Sequence, residues 1–158
     1  MIPRQNLRNN HIGYTDKEII LAVNMIKKLN DAIELMFYLM NRDKENTFVL
    51  ILITAQNADL KEILLREKRN TDIVYDVYSE ENVYAVLCQE TRVDGGYRFA
   101  ERIIHKIQDV KGEEIYCSKI EVRTTMYPSK DIIFRVLDGF VKARKDEKSG
   151  EIIFKSIY

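Results

Sequence analysis

An unbroken apolar run, Phe48-Val49-Leu50-Ile51-Leu52-Ile53, constrains this chain more than any other feature. A strand with one wet face alternates apolar and polar side chains. A run with no polar break needs cover on both faces and predicts a central strand. It is far too short to span a bilayer, so no membrane partner is expected.

The second constraint lies upstream. Thr15 and Glu18 form the T-x-x-E pair of a capping box, in which each side chain satisfies a backbone N–H of the first helical turn. Apolar residues follow at Ile19, Val23, Ile26, Leu29, Ile33, Met36 and Met40, the steps of three and four that mark one helical face. This predicts a helix over 15–41, unbroken or interrupted near Asn30-Asp31. Ile20, Leu21, Leu35, Phe37, Tyr38 and Leu39 lie off that seam, so the helix is apolar nearly all round and calls for burial on several sides. Two readings stand: a place deep in the domain's own core, or a homodimer interface.

The remaining elements follow in order. Asp59 to Lys68 reads as a short helix with Leu60, Ile63 and Leu64 inward. Ile73 to Tyr78 and Val83 to Cys88 read as a hairpin around the polar turn Ser79-Glu80-Glu81-Asn82. Val93, Tyr97, Ala100, Ile104 and Ile107 mark a helix. Ile115 to Tyr127 reads as a strand ended by Pro128. Ser129 is placed to cap a helix whose face is Ile132, Val136, Phe140 and Val141. Ser149-Gly150 turns the chain into a last strand, Glu151 to Ile157. The expected class is α+β: a mixed, mostly antiparallel, palm-like (ferredoxin-like) sheet with helices packed on it. Residues 1–14 read as a polar arm and 15–158 as one domain.

Composition excludes more than it selects. The 25 basic and 25 acidic residues leave a formal net charge of +0, without the basic excess expected of a nucleic-acid binder. Met1 to Asn10 is polar and lacks an apolar h-region, which predicts a cytoplasmic location. Cys88 and Cys117 lie in different strand-like segments and read as reduced core residues. With no CxxC, and His11 and His105 apart in sequence, no metal or other cofactor is expected.

At this level local words begin to match a family. Val83-Tyr84-Ala85-Val86-Leu87-Cys88-Gln89-Glu90-Thr91 is similar to the strand "EFAVLLPET" of GGDEF domains, the diguanylate cyclase fold. Ala100-Glu101-Arg102-Ile103 matches the family's "AERI" helix. Ile120 to Pro128 is similar to "VSIGVAxYP", and Val141-Lys142-Ala143-Arg144 stands where the family has "LYxAK". The resemblance runs from about residue 48 to 154 and implies a GGDEF-like sheet whose hairpin carries the signature loop.

The departures bear on function. The family joins two GTP molecules into cyclic di-GMP, chemistry that needs carboxylates holding divalent metal against a triphosphate. Where the family has an Asp at the end of the first strand, this chain has Thr54 or Ala55. The signature itself becomes Glu80-Glu81-Asn82-Val83-Tyr84, preceded by Ser79. The lost glycines would have let backbone approach phosphate closely. The segment between Ile53 and Ile73 has no counterpart of the family's guanine-reading "FKxxND…GD". The expectation is a domain that is not an enzyme.

One family feature persists. Many cyclases carry an RxxD turn before the hairpin, an inhibitory site for cyclic di-GMP assisted by an Arg on the next helix. Arg69-Asn70-Thr71-Asp72 and Arg102 stand in those places, with Asp72 further from the hairpin turn than the family pattern puts it. A guanidinium fork can donate to a guanine edge or phosphate, and Asp can accept from guanine N–H groups. The plainer reading is a solvated Arg69–Asp72 pair ending a helix.

Other candidates carry less. His105 has no nucleophile near it in sequence. Gly95-Gly96 lacks the surroundings of a phosphate cradle. Lys142, Arg144, Lys145 and Lys148 suit a helix C-terminus. Glu80, Glu81 and Glu90 read as solvated acids. The leading expectation is a non-catalytic GGDEF-like regulatory module acting through an unidentified protein partner, dimeric through helix 15–41, with a cyclic di-GMP-binding variant at Arg69, Asp72 and Arg102. The alternatives are a palm-type nucleotide enzyme using Glu80 or Glu81 with one metal, and a dimeric scaffold without a small ligand.

Overall fold

A computed structural model describes residues 13–43, 47–89, 93–108 and 113–157. Most of the expected polar arm, part of the turn after the first helix, and Glu90 lie outside the described residues. The elements are α1 (Asp16–Arg42), β1 (Phe48–Ala55), α2 (Leu60–Glu67), β2 (Asp72–Tyr78), a short 3-10 turn (Ser79–Glu81), β3 (Val83–Gln89), α3 (Val93–Gln108), β4 (Ile115–Val122), α4 (Ser129–Lys145) and β5 (Ile152–Ile157). The strands form one sheet in the order β2-β3-β1-β4-β5. All neighbours are antiparallel except β4 and β5. The class is the mixed α+β arrangement expected.

β1 is the central strand, and all of its residues are buried. Its two faces feed two cores. Phe48, Leu50 and Leu52 pack with α1 and α4. Val49, Ile51 and Ile53 pack with α2 and α3. The continuous apolar run therefore reflects two separate layers, one on each side of the pleat. Gly139 brings α4 close to β4: a Cβ there would meet Ser118 Oγ at 2.5 Å.

The capping box of α1 forms as expected: Thr15 Oγ1 accepts from the Glu18 N–H, and Glu18 Oε1 from the Thr15 N–H. The helix runs without a break. Its buried stripe keeps the expected Leu29, Ile33, Met36 and Met40, with Ile26 partly buried against the same core, and departs from the expected seam only in the first turns. Leu21, Ala22, Met25, Leu29, Ile33, Met36, Phe37 and Met40 face the core, whereas Ile19 and Val23 are exposed. In the first turns two sets at helical spacing compete, Ile19 and Val23 against Leu21 and Met25. Packing against α4 and β2 selects between them, which periodicity alone cannot do. The helix is buried along one side and leaves Ile19, Ile20, Val23, Leu35 and Tyr38 outside.

Two boundary expectations are corrected. β4 ends at Val122, short of Tyr127. Val122 pairs with Phe48, the first residue of β1, so no central partner continues beyond it. Ser129 does not cap α4, whose N-cap residue is Pro128 with no side-chain cap. Its hydroxyl instead lies 2.6 Å from Asn30 Oδ1 and 2.8 Å from Glu34 Oε1, tying α4 to α1.

Cys88 and Cys117 are free and buried. Cys88 pairs with Val49 and Cys117 with Ile53, so β1 lies between them. Two strand spacings of about 4.8 Å already exceed the Cα separation of about 7 Å that a disulfide tolerates.

Candidate functional site

The hairpin tip and the end of β1 converge. Thr54 pairs with Val83, the first residue of β3. Its hydroxyl lies 3.0 Å from the carbonyl oxygens of both Glu81 and Asn82. Asn82 adopts a left-handed backbone with φ 54°, a conformation that Asn tolerates better than most residues. From there its side-chain amide donates to Ala55 O at 2.6 Å and Ala58 O at 3.0 Å. The turn is thus fastened to the β1–α2 connection by side chains on both sides.

The tip acids are partly engaged. Glu81 pairs with Lys17 of α1 at 2.7 Å, and that carboxylate raises the Lys17 pKa. Glu80 is exposed. Ser79 Oγ donates to Asp76 Oδ2 at 2.5 Å. A cleft of about 280 Å³ opens beside the tip, lined by Thr54, Gln56, Glu80, Glu81, Glu114 and Arg144 among others. Among the described residues no group of three or more His, Cys, Asp and Glu is arranged to hold a metal.

At the other end of β2 lies the Arg69–Asp72 turn. The Asp72 carboxylate is 1% exposed and Arg69 is half exposed. Asp72 accepts from the Arg69 backbone N–H at 2.9 Å and from the guanidinium at 3.0 Å. Arg69 Nη2 also donates to Gln89 O at 2.9 Å, tying the turn to β3. Lys68 Nζ reaches the Asp72 carbonyl at 3.2 Å. The pair expected from sequence is brought together. Arg102 sits exposed on α3, its guanidinium 5.7 Å from the Phe99 ring centre. It lies within electrostatic reach of Glu67 at the end of α2. The Glu67 pKa is lowered first by the Lys106 hydrogen bond, with Arg102 contributing least.

Sequence reasoning missed the charges beneath α3. Lys119 and Glu121 of β4 are 1% and 0% exposed. Lys119 Nζ lies 4.8 Å from the Phe154 ring centre, and Glu121 pairs with Arg123 at 2.5 Å. His105 is exposed on α3, and Gly95-Gly96 falls within the first turns of that helix. The cysteine thiols are inert: burial pushes both up to about 12.

This arrangement, with β1 central, a β2–β3 hairpin at one edge and a parallel β5 at the other, is the fold of GGDEF domains. The chain is similar to the active GGEEF domain of a diguanylate cyclase from Vibrio cholerae, at 15% identity and a TM-score of 0.64 over 81% of this chain and 94% of that one. It is similar to the GGDEF domain of DgcB from Caulobacter crescentus, solved with c-di-GMP, at 8% identity and a TM-score of 0.63 over 81% and 86%. Diguanylate cyclase SiaD from Pseudomonas aeruginosa, solved with its activator SiaC, aligns over 96% of this chain and 67% of that one, at 13% identity and a TM-score of 0.60. No protein-family model and no curated protein matches the sequence. No helix among the described residues is long and apolar enough to cross a membrane.

Proposed function

We propose that this chain is a cytoplasmic, non-catalytic GGDEF-fold regulatory module that acts through protein contacts and dimerises through α1. The observation that carries the reading is the fastening of the hairpin tip to the end of β1 by Thr54 and Asn82. A cyclase needs carboxylates converging there on a metal-bound triphosphate. Here a hydroxyl occupies the β1 position and Glu81 is paired with Lys17. The donor set around the cleft does not fit a divalent ion carrying GTP. Incubation with GTP and Mg²⁺ or Mn²⁺, followed by chromatography, is expected to return GTP unchanged. Accumulation of cyclic di-GMP defeats the reading.

A binding variant of the same module places cyclic di-GMP at Arg69, Asp72 and Arg102. It is supported by the half-exposed Arg69 guanidinium, which Asp72 holds in a fixed orientation. In this variant Asp72 orients Arg69 rather than reading the base, because its carboxylate is buried. A ligand that binds only the folded state raises the thermal midpoint by mass action. Cyclic di-GMP at high micromolar concentration should raise it, and Arg69→Ala should remove the shift. No shift in the unsubstituted chain removes the site and leaves the protein-contact reading in place.

A further inference from the structure

The two edges of the sheet are finished differently. At β2 the Val77 carbonyl accepts from Asn24 Nδ2 at 2.9 Å, the Asp76 carbonyl from Lys28 Nζ, and the Asp72 carbonyl from Lys68 Nζ at 3.2 Å. The β2–β3 register also shifts between Asp76 and Tyr78. Lysines and a bulge are devices that keep an edge from recruiting another strand. β5 is the opposite edge. Among the described residues no side chain is bonded to the backbone of Ile152, Ile153 or Phe154, and Phe154 is 43% exposed. Beside this edge runs a groove of about 470 Å³ between β5 and the C-terminal half of α3, lined by Glu101, Ile104, His105, Glu151 and Ile152 among others.

We propose that residues 2–8 of the chain's own N-terminal arm add to β5 as a further strand, antiparallel to it. The point of attachment gives the direction. Gly13 O accepts from Lys145 Nζ at 3.2 Å, and the Tyr14 hydroxyl bonds to Asp138, so the arm leaves the body at the C-terminal end of α4. A short turn leads from there into β5. Followed back from Gly13, the arm meets β5 at its start and travels against it. The residues before Gly13 can reach about 40 Å. That is enough to pass the end of α4 and to follow a strand the length of β5, roughly 20 Å.

The charges agree with this path. The arm carries Arg4 and Arg8 and no acidic residue. At this spacing the two arginines share one face of a strand, about 13 Å apart. In the groove, Glu151 stands at the start of β5. Gln108 of α3 lies against Gly150, and Glu101 lies about 10 Å back along α3 from Gln108. Antiparallel entry therefore sets Arg8 toward Glu151 and Arg4 toward Glu101. Proline and charged side chains are what natural outer strands carry. With Pro3, Arg4 and Arg8, the arm supplies at this edge the guard that β2 already has.

Amide hydrogen exchange on the full chain tests the proposal, because it reads the local opening of each strand. Amides of residues 4–8 and the outward amides of β5 should both be protected. Arg4→Glu combined with Arg8→Glu should lower protection at both places roughly tenfold or more, and adding Glu101→Arg with Glu151→Arg should restore it. Unprotected amides in residues 4–8 overturn the proposal, and so does protection that the charge reversal leaves unchanged. Protection that falls on dilution assigns the added strand to a second copy's arm and overturns it as well. None of these outcomes bears on GTP turnover, so the non-catalytic reading stands or falls separately.

Discussion

The two ends of β2 hold polar groups in opposite ways. At Asp72 a buried carboxylate is held by the Arg69 N–H and guanidinium and by the Cys88 thiol, and the Arg69 cation stays half in solvent. At the tip the fastening is neutral, a hydroxyl and an amide on backbone carbonyls, and the exposed charge is the acid Glu80. One end offers a fixed cation outward, the other a closed turn fringed by carboxylates. The difference teaches that resemblance to a nucleotide-binding fold can persist at the level of chain path while the two candidate sites diverge in what they could attract.

Substitutions should rank the two ends. Asp72→Ala leaves the Arg69 N–H without its acceptor and empties a buried site; it should cost about 3 kcal/mol in chemical denaturation. Asn82→Ala loses two hydrogen bonds and leaves alanine in a left-handed backbone, for about 2 kcal/mol. Thr54→Val keeps the shape of the side chain and removes only the hydroxyl, for about 1 kcal/mol. If Asn82→Ala costs more than Asp72→Ala, the contrast drawn here is inverted.

The smallest effect concerns pH. Burial, assisted by the Asp72 charge, holds the Cys88 thiol at about 12 against an ordinary 9.0. The unfolded chain therefore ionises first, so this contribution is complete below pH 9.0 and is lost as pH rises toward 12. The thermal midpoint should fall less steeply just above pH 9 in Cys88→Ala than in the unsubstituted chain. Identical slopes would show that the Cys88 thiol ionises as readily in the folded chain as in the unfolded one.

Much of this fold is written locally. Thr15 and Glu18 announce the start of α1, Ser79 to Asn82 the hairpin, and Phe48 to Ile53 the central strand, because each depends on neighbours in sequence. The inward stripe of α1 was legible from Ile26 onward but not in the first turns, where Leu21 and Met25 compete with Ile19 and Val23 at the same spacing and α4 decides between them. Ser129 looks like a cap and serves as a tie to Asn30 and Glu34, partners distant in sequence. Lys119 and Glu121 alternate with Ile120 and Val122 as a wet face would, yet α3 and Phe154 belong to the layer on their side of the sheet. At the site, the string Arg69-Asn70-Thr71-Asp72 predicts the pair, but the tie from Arg69 to Gln89 and the Lys17–Glu81 bridge are tertiary and leave no local signal.

The central claim is that the tip is shut against a triphosphate. Titration with GTP and Mg²⁺, followed through the backbone amide resonances of Thr54, Glu81 and Asn82, tests it most directly. The account predicts no saturable, metal-dependent shift at these amides. A saturable shift that requires Mg²⁺ and disappears in Glu80→Gln or Glu81→Gln would contradict it.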